Sequence, residues 1–128
     1  MDDLTKQFTA ALDELHRERN VEPLVALFSD DAVLAKAGLP HDQHGKDGAR
    51  QFWQQYRDVF DQIDASFSHV VTSDGIAFLE WTSHGTLADG ADFGYDGVSV
   101  LQAGGDTIDG FRTYYDTAAF LDKQSTVG

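Results

Sequence analysis

An α+β fold is predicted by three features of this 128-residue sequence. Apolar residues recur at helical spacing only in the first half of the chain, as in Leu4, Phe8, Leu12 and Leu15. Four strand-like runs then follow one another at about 64–73, 76–88, 92–102 and 107–116. The pairs between those runs, Asp74-Gly75, Asp89-Gly90 and Gly104-Gly105, are hairpin signals. Helices followed by an antiparallel meander predict a curved, mainly antiparallel sheet wrapped around N-terminal helices, all within one domain spanning 1–128. Such a sheet leaves a concavity suited to a ligand.

Each element has its own justification. The first amphipathic helix covers about 3–19. Pro23 suits the first turn of a second, shorter helix carrying Leu24, Leu27 and Phe28. The stretch "SDDAVLAKAG" reads as a short strand ending at Gly38, and "LPHDQHGKDG" as a loop. A third helix at about 47–61 sets Phe52, Tyr56, Val59 and Phe60 on one stripe. A last short helix in "DTAAFLDK" starts with Asp116 or Thr117 as its cap.

Charge excludes several partners. Twenty-two acidic residues, eighteen of them Asp, stand against nine basic ones, giving a net charge of −13. Such a surface repels phosphate backbones and anionic membranes, so neither nucleic acid nor a membrane is an expected partner. The Asp-rich, Lys-poor balance is that of a very soluble acidic protein or one from a high-salt habitat. No apolar run reaches membrane-spanning length, the N-terminus carries no visible secretory signal, and there is no cysteine; a cytoplasmic protein is the default expectation. His41 and His44 have the spacing of a metal-binding pair but no clear further ligand, so neither a metal nor a cofactor is expected.

Four stretches, in order and at plausible spacing, carry a resemblance to a known family. They are "HGKDGARQFWQQY", "FLEWTSHGTL", "YDGVSVL" and "IDGFRTYYDTAAF". Together they resemble the SnoaL-like branch of the nuclear transport factor two-like superfamily, the α+β cone, over about residues 3–122. One departure is "AGGDTI", where the family carries an Asp-Gly turn before the Ile. The superfamily hosts polyketide cyclases, isomerases, dehydratases, epoxide hydrolases and non-catalytic binders, so the resemblance implies a small-molecule pocket and leaves its chemistry open.

The strand "FRTYYDT" is the natural place to look for that chemistry. Alternation puts Arg112, Tyr114 and Asp116 on one face, shared with Ile108, and the resemblance implies that this face is the concave one. Arg112 and Asp116 would lie roughly 13–14 Å apart at Cα, so Arg112 needs Glu80 or Asp96 as its partner if buried. The functional expectation makes Asp96 or Asp116 a general acid or base, Tyr114 the group on a carbonyl oxygen, and Arg112 the group orienting a carboxylate. An Arg between two Asp, as in the epoxide hydrolases of the superfamily, is the variant, and ketosteroid isomerase offers the carboxyl-and-tyrosine precedent. Phe28, Phe52, Trp53 and Tyr56 would form an apolar roof, with Glu80 and His84 also facing inward. The alternative makes Glu80–Arg112 a buried strut and Asp116 a helix cap, leaving a non-catalytic binding or dimerisation module. His69 and His16 read as structural. Surplus apolar residues in "VVTSDGIAFL" and "VSVL" predict a homodimer through the outer sheet face.

Overall fold

The computed structural model describes residues 1–36 and 41–119. Its elements run α1 (Asp2–Glu18), α2 (Glu22–Val25), β1 (Phe28–Lys36), β2 (Gln43–His44), α3 (Gly45–Asp58), β3 (Phe60–Ser73), β4 (Ile76–Leu87), β5 (Asp92–Ala103) and β6 (Ile108–Tyr115). The strands form one sheet in the order β2-β1-β6-β5-β4-β3. Only the β1–β6 pair is parallel; every other neighbour is antiparallel. The α+β architecture with helices on one face of the sheet is as the sequence predicts.

Helix α1 buries the stripe Leu4, Phe8, Leu12 and Leu15, and α3 buries Ala49, Phe52 and Trp53. Both meet the inner sheet face at Leu34, Ala77, Leu79, Leu101, Ile108 and Phe111. Helix α1 stops where Arg19 takes a left-handed conformation (φ 60°) and its N–H returns to the Leu15 carbonyl at 3.0 Å. The β3–β4 hairpin turns on Asp74 and Gly75, both at positive φ, which is the backbone an Asp-Gly pair favours. No helix among the described residues is long and apolar enough to cross a membrane.

Two local expectations change. Phe28 opens β1 instead of closing α2, and it is fully buried there. The segment read as a loop contains β2 and the start of α3, with Gly45 at φ 71° making the entry. The expected strand end at Gly38 and the body of the last helix lie outside the described residues; helix begins at Ala118.

Candidate functional site

The face that β6 turns toward the helices is the opposite of the one expected. Ile108 faces the core, but Ile108 pairs with Ala103 while Gly110 pairs with Gln102, so β6 spends one extra residue between them. That bulge reverses the alternation. Phe111, Thr113 and Tyr115 point inward, and Arg112, Tyr114 and Asp116 point outward.

The outward set has surface partners. The Arg112 guanidinium donates to Gln102 Oε1 at 2.9 Å, not to Glu80. Glu80 accepts from Ser68 at 3.1 Å and contacts His69 Nδ1 at 2.7 Å, an exposed arrangement that lowers the Glu80 pKa chiefly through the His69 hydrogen bond. A second register shift, between Phe67 and His69 on β3, brings His69 to this outer face. Asp96 accepts from the Thr82 hydroxyl at 2.8 Å, and Asp116 accepts the Ala118 N–H at 3.0 Å, which makes it a turn cap. His84 is exposed on the same face of β4 as Glu80. Asp96, Arg112, Tyr114, Asp116, Glu80 and His84 therefore lie outside the cone, and the expected Glu80–Arg112 strut is not formed. Asp96, Tyr114, Asp116 and Glu80 line a shallow outer groove instead.

The cavity itself, about 160 Å³, opens between α1, α3 and the inner sheet face. Helix α1 supplies Phe8 and Leu12; α3 supplies Phe52, Trp53 and Tyr56; the strands supply Phe60, Phe67, Trp81, Tyr95, Phe111 and Tyr115. These rings pack edge to face, for example Trp53 with Phe111 at 4.9 Å and 61° between centroids and planes. Of the expected roof, Phe52, Trp53 and Tyr56 line the cavity, and Phe28 backs Trp53 from within the core at 6.4 Å. The indole Nε1 of Trp53 is buried without a hydrogen-bond partner among the described residues.

Polar groups enter from the sheet. Trp81 Nε1 donates to Ser99 Oγ at 3.0 Å, and Ser99 and Thr113 share a hydroxyl contact at 3.0 Å. Ser83 and Lys36 add to the polar lining, and no carboxylate lines the cavity among the described residues. Lys36 sits on the inward parity of β1 with Ala32 and Leu34, and its ammonium lies 5.5 Å from the centre of the Phe52 ring. Burial lowers its pKa. On the helix side, the Tyr56 hydroxyl lies 2.7 Å from His16 Nε2. Burial, aided by the nearby Arg57 charge, lowers the His16 pKa from 6.5 to about 4, and burial raises Tyr56 well above its ordinary value. At neutral pH the pair is a neutral imidazole against a neutral phenol. Tyr95 and Tyr115 are likewise raised by burial.

Lys36, Ser83, Ser99, Thr113 and the His16–Tyr56 contact were not singled out from the sequence as one site. Two signals for them were present. His16 follows Leu12 by four residues, which puts it on the buried helix stripe, and Lys36 follows Leu34 by two. His41 and His44 are exposed, and no group of potential metal ligands forms among the described residues.

Comparison with known proteins adds the family and the fold. A family model described as a SnoaL-like domain matches residues 6–111. Among curated proteins none matches significantly. An NTF2-like protein of unknown function from Exiguobacterium sp. 255-15 superposes with a TM-score of 0.75 at 24% identity, covering 89% of this chain and 98% of that one. TerC, co-crystallised with polyporic acid, gives a TM-score of 0.80 at 15% identity over 94% and 95%. An LEH-like epoxide hydrolase of M. tuberculosis gives 0.74 at 13% identity over 94% and 85%. At these identities the likeness establishes a shared fold.

Proposed function

The chain belongs to the SnoaL-like domain family, and from that premise we propose that its cone binds a flat, largely apolar small molecule bearing oxygen. One observation carries this reading: an aromatic-walled cavity whose inner sheet face carries the polar residues Lys36, Ser83, Ser99 and Thr113. The rings supply contact area, and a few fixed polar groups set orientation, which is the usual division of labour in ligand pockets. TerC, which shares the fold, was crystallised with polyporic acid, in keeping with a cone that accepts flat oxygenated molecules. Titration calorimetry with a panel of aromatic acids and their methyl esters tests the proposal. Saturable binding with one site per chain supports it; a wholly silent panel overturns it.

A specific observation favours acid–base chemistry as a second reading, carried by a different residue from those expected. The expected carboxyls lie on the outer face, and the cavity wall instead presents the Tyr56 hydroxyl against neutral His16. A phenol in contact with a neutral imidazole can relay a proton away from a ligand: the phenolic oxygen takes the ligand's proton as its own passes to His16 Nε2, leaving an imidazolium. Turnover of a bound ketone or epoxide that is lost in Tyr56→Phe, with binding retained, is the result that supports this reading. Turnover unaffected by Tyr56→Phe removes it.

We also infer self-association through the outer sheet face. Val71, Phe78, Val100, Arg112 and Ala35 lie in one register row across five strands, and Val71 and Phe78 are 59% and 45% exposed. A second copy would cover this row with the same row, as in an isologous dimer.

A further inference from the structure

The cavity lining carries one cation and, among the described residues, no carboxylate, and that imbalance identifies its ligand more closely. Lys36 on β1 pairs in register with Thr113 on β6, and Thr113 pairs with Ser99 on β5. Neighbouring strands are about 4.8 Å apart, so Lys36, Thr113 and Ser99 stand side by side on the inner face, with the ammonium at the end of its four-carbon stem. Trp81 Nε1 donates to Ser99, and the two hydroxyls share one hydrogen between them. Three donor hydrogens thus serve two contacts, which leaves one hydroxyl hydrogen without an acceptor among the described residues.

Lys36 sharpens the point. The other cations of the described residues are engaged or fully at the surface. Arg17 and Arg50 pair with carboxylates, Arg19, Arg57 and Lys46 donate to backbone carbonyls, Arg112 donates to Gln102, and Lys6 is exposed. In a chain with twenty-two acidic residues, Lys36 instead faces an aromatic cavity and meets the Phe52 ring. Half-burying an ammonium beside apolar rings costs free energy that an anion would recover. The acidic outer surface is a weak counter-argument, because charges beyond about 8 Å are largely screened at physiological ionic strength.

We propose, building on the small-molecule reading above, that the cone selects an aromatic carboxylate, with the carboxylate held between the Lys36 ammonium and the Thr113–Ser99 hydroxyls and the ring stacked among Trp53, Phe111 and Trp81. The two oxygens of a carboxylate accept from both sides of this row, and a neutral ester offers weaker acceptors and no charge. An apolar cavity of about 150 Å³ holds a benzene ring, so the space here suits one ring with its acid group reaching the rim.

The experiment compares benzoate, phenylacetate and cinnamate with their methyl esters by calorimetry. The proteins are wild type, Lys36→Met, Lys36→Arg, Thr113→Val and the surface control Lys6→Met. The expected result is an acid-over-ester preference of about tenfold or more in wild type. Lys36→Met abolishes it by weakening the acid far more than the ester, Thr113→Val weakens it, and Lys36→Arg and Lys6→Met keep it. Equal binding of acid and ester in wild type overturns the inference, as does a preference that survives Lys36→Met. In either case ester binding leaves the broader small-molecule reading standing. Binding of none of the six compounds overturns both.

Discussion

His16 of α1 and Tyr56 of α3 are tied by a 2.7 Å contact between Nε2 and the phenolic oxygen, across forty residues of sequence. The imidazole is buried and stays neutral because desolvation and the Arg57 charge disfavour its protonated form, outweighing Asp13 and Asp64. Its folded pKa of about 4 is below the unfolded 6.5, so the unfolded chain binds the proton first. The stabilisation from His16 is therefore complete above pH 6.5 and is lost as pH falls toward 4. At about pH 4.5 the expected loss is on the order of 2–3 kcal/mol. Urea unfolding at about pH 7 and 4.5 checks this: wild type should lose that amount, and His16→Gln, which retains a polar group but cannot titrate, should lose little. Equal losses in both proteins would place the acid sensitivity elsewhere.

Arg57 sits one residue beyond Tyr56 and holds the same junction by a different means. Its guanidinium, 3% exposed, donates to the carbonyls of Leu15 at 3.2 Å, His16 at 3.1 Å, Phe60 at 2.8 Å and Asp61 at 3.2 Å. It thus closes the C-terminal end of α1, where the helix dipole favours a cation, against the start of β3. Arg19 also reaches the Phe60 and Asp61 carbonyls and its N–H already serves Leu15, so the His16 carbonyl loses most when Arg57 is removed. Arg57→Met should cost about 3 kcal/mol, measured as a lower urea midpoint at constant m. Arg57→Lys should fall between, since it restores the charge without the planar fork.

Gly97 decides how Trp81 lies against the sheet. A Cβ at Gly97 would collide with the Trp81 ring and with the Tyr114 carbonyl oxygen, and the carbonyl belongs to the β5–β6 ladder and cannot swing away. Gly97→Ala should displace the indole, break its hydrogen bond to Ser99 and red-shift tryptophan emission, with a cost of about 2 kcal/mol. Gly94→Ala is the control: its Cβ would meet the exposed His84 ring at 3.3 Å, which can move. The two tryptophans of the chain, Trp53 and Trp81, both line the cavity, so the emission reports directly on it. Unchanged emission in Gly97→Ala would show that the indole does not depend on this close approach.

What the sequence made legible follows from periodicity. Leu4, Phe8, Leu12 and Leu15 define α1, and Asp74-Gly75 marks its hairpin, because both signals are local. The face of β6 was not legible in the same way. Counting by twos from buried Ile108 puts Arg112 and Tyr114 inside, and one bulge residue near Asp109 reverses every later position. A bulge is set by pairing across strands, and the run "GGDTIDG" contains glycines without saying where the extra residue falls. Phe28 was misassigned for a related reason: its helical spacing from Leu24 competes with its pairing to Ile108, and the pairing prevails. The Lys36–Thr113–Ser99 row joins three strands, so it becomes visible only when the registers of both β1–β6 and β5–β6 are known.

The same reversal moves the polar residues of β6 to the outer face, where they border the apolar row expected to meet a second copy. Val71 and Phe78 are cross-strand partners, and Phe78 pairs in turn with Val100, which is 3% exposed beneath its neighbours. Two such faces brought together would bury both exposed side chains, at about 25 cal/mol per Å² of apolar area removed from water. Sedimentation equilibrium at micromolar concentration should then give twice the 14.1 kDa chain mass. Val71→Asp with Phe78→Asp should return the species to 14.1 kDa, because two like charges would face their own copies across the two-fold axis. The paired variants should retain the wild-type urea midpoint of the isolated chain and bind the aromatic acids unchanged, since neither side chain touches the cavity. A wild-type chain that sediments as 14.1 kDa throughout would leave this row as an ordinary solvent-facing sheet surface.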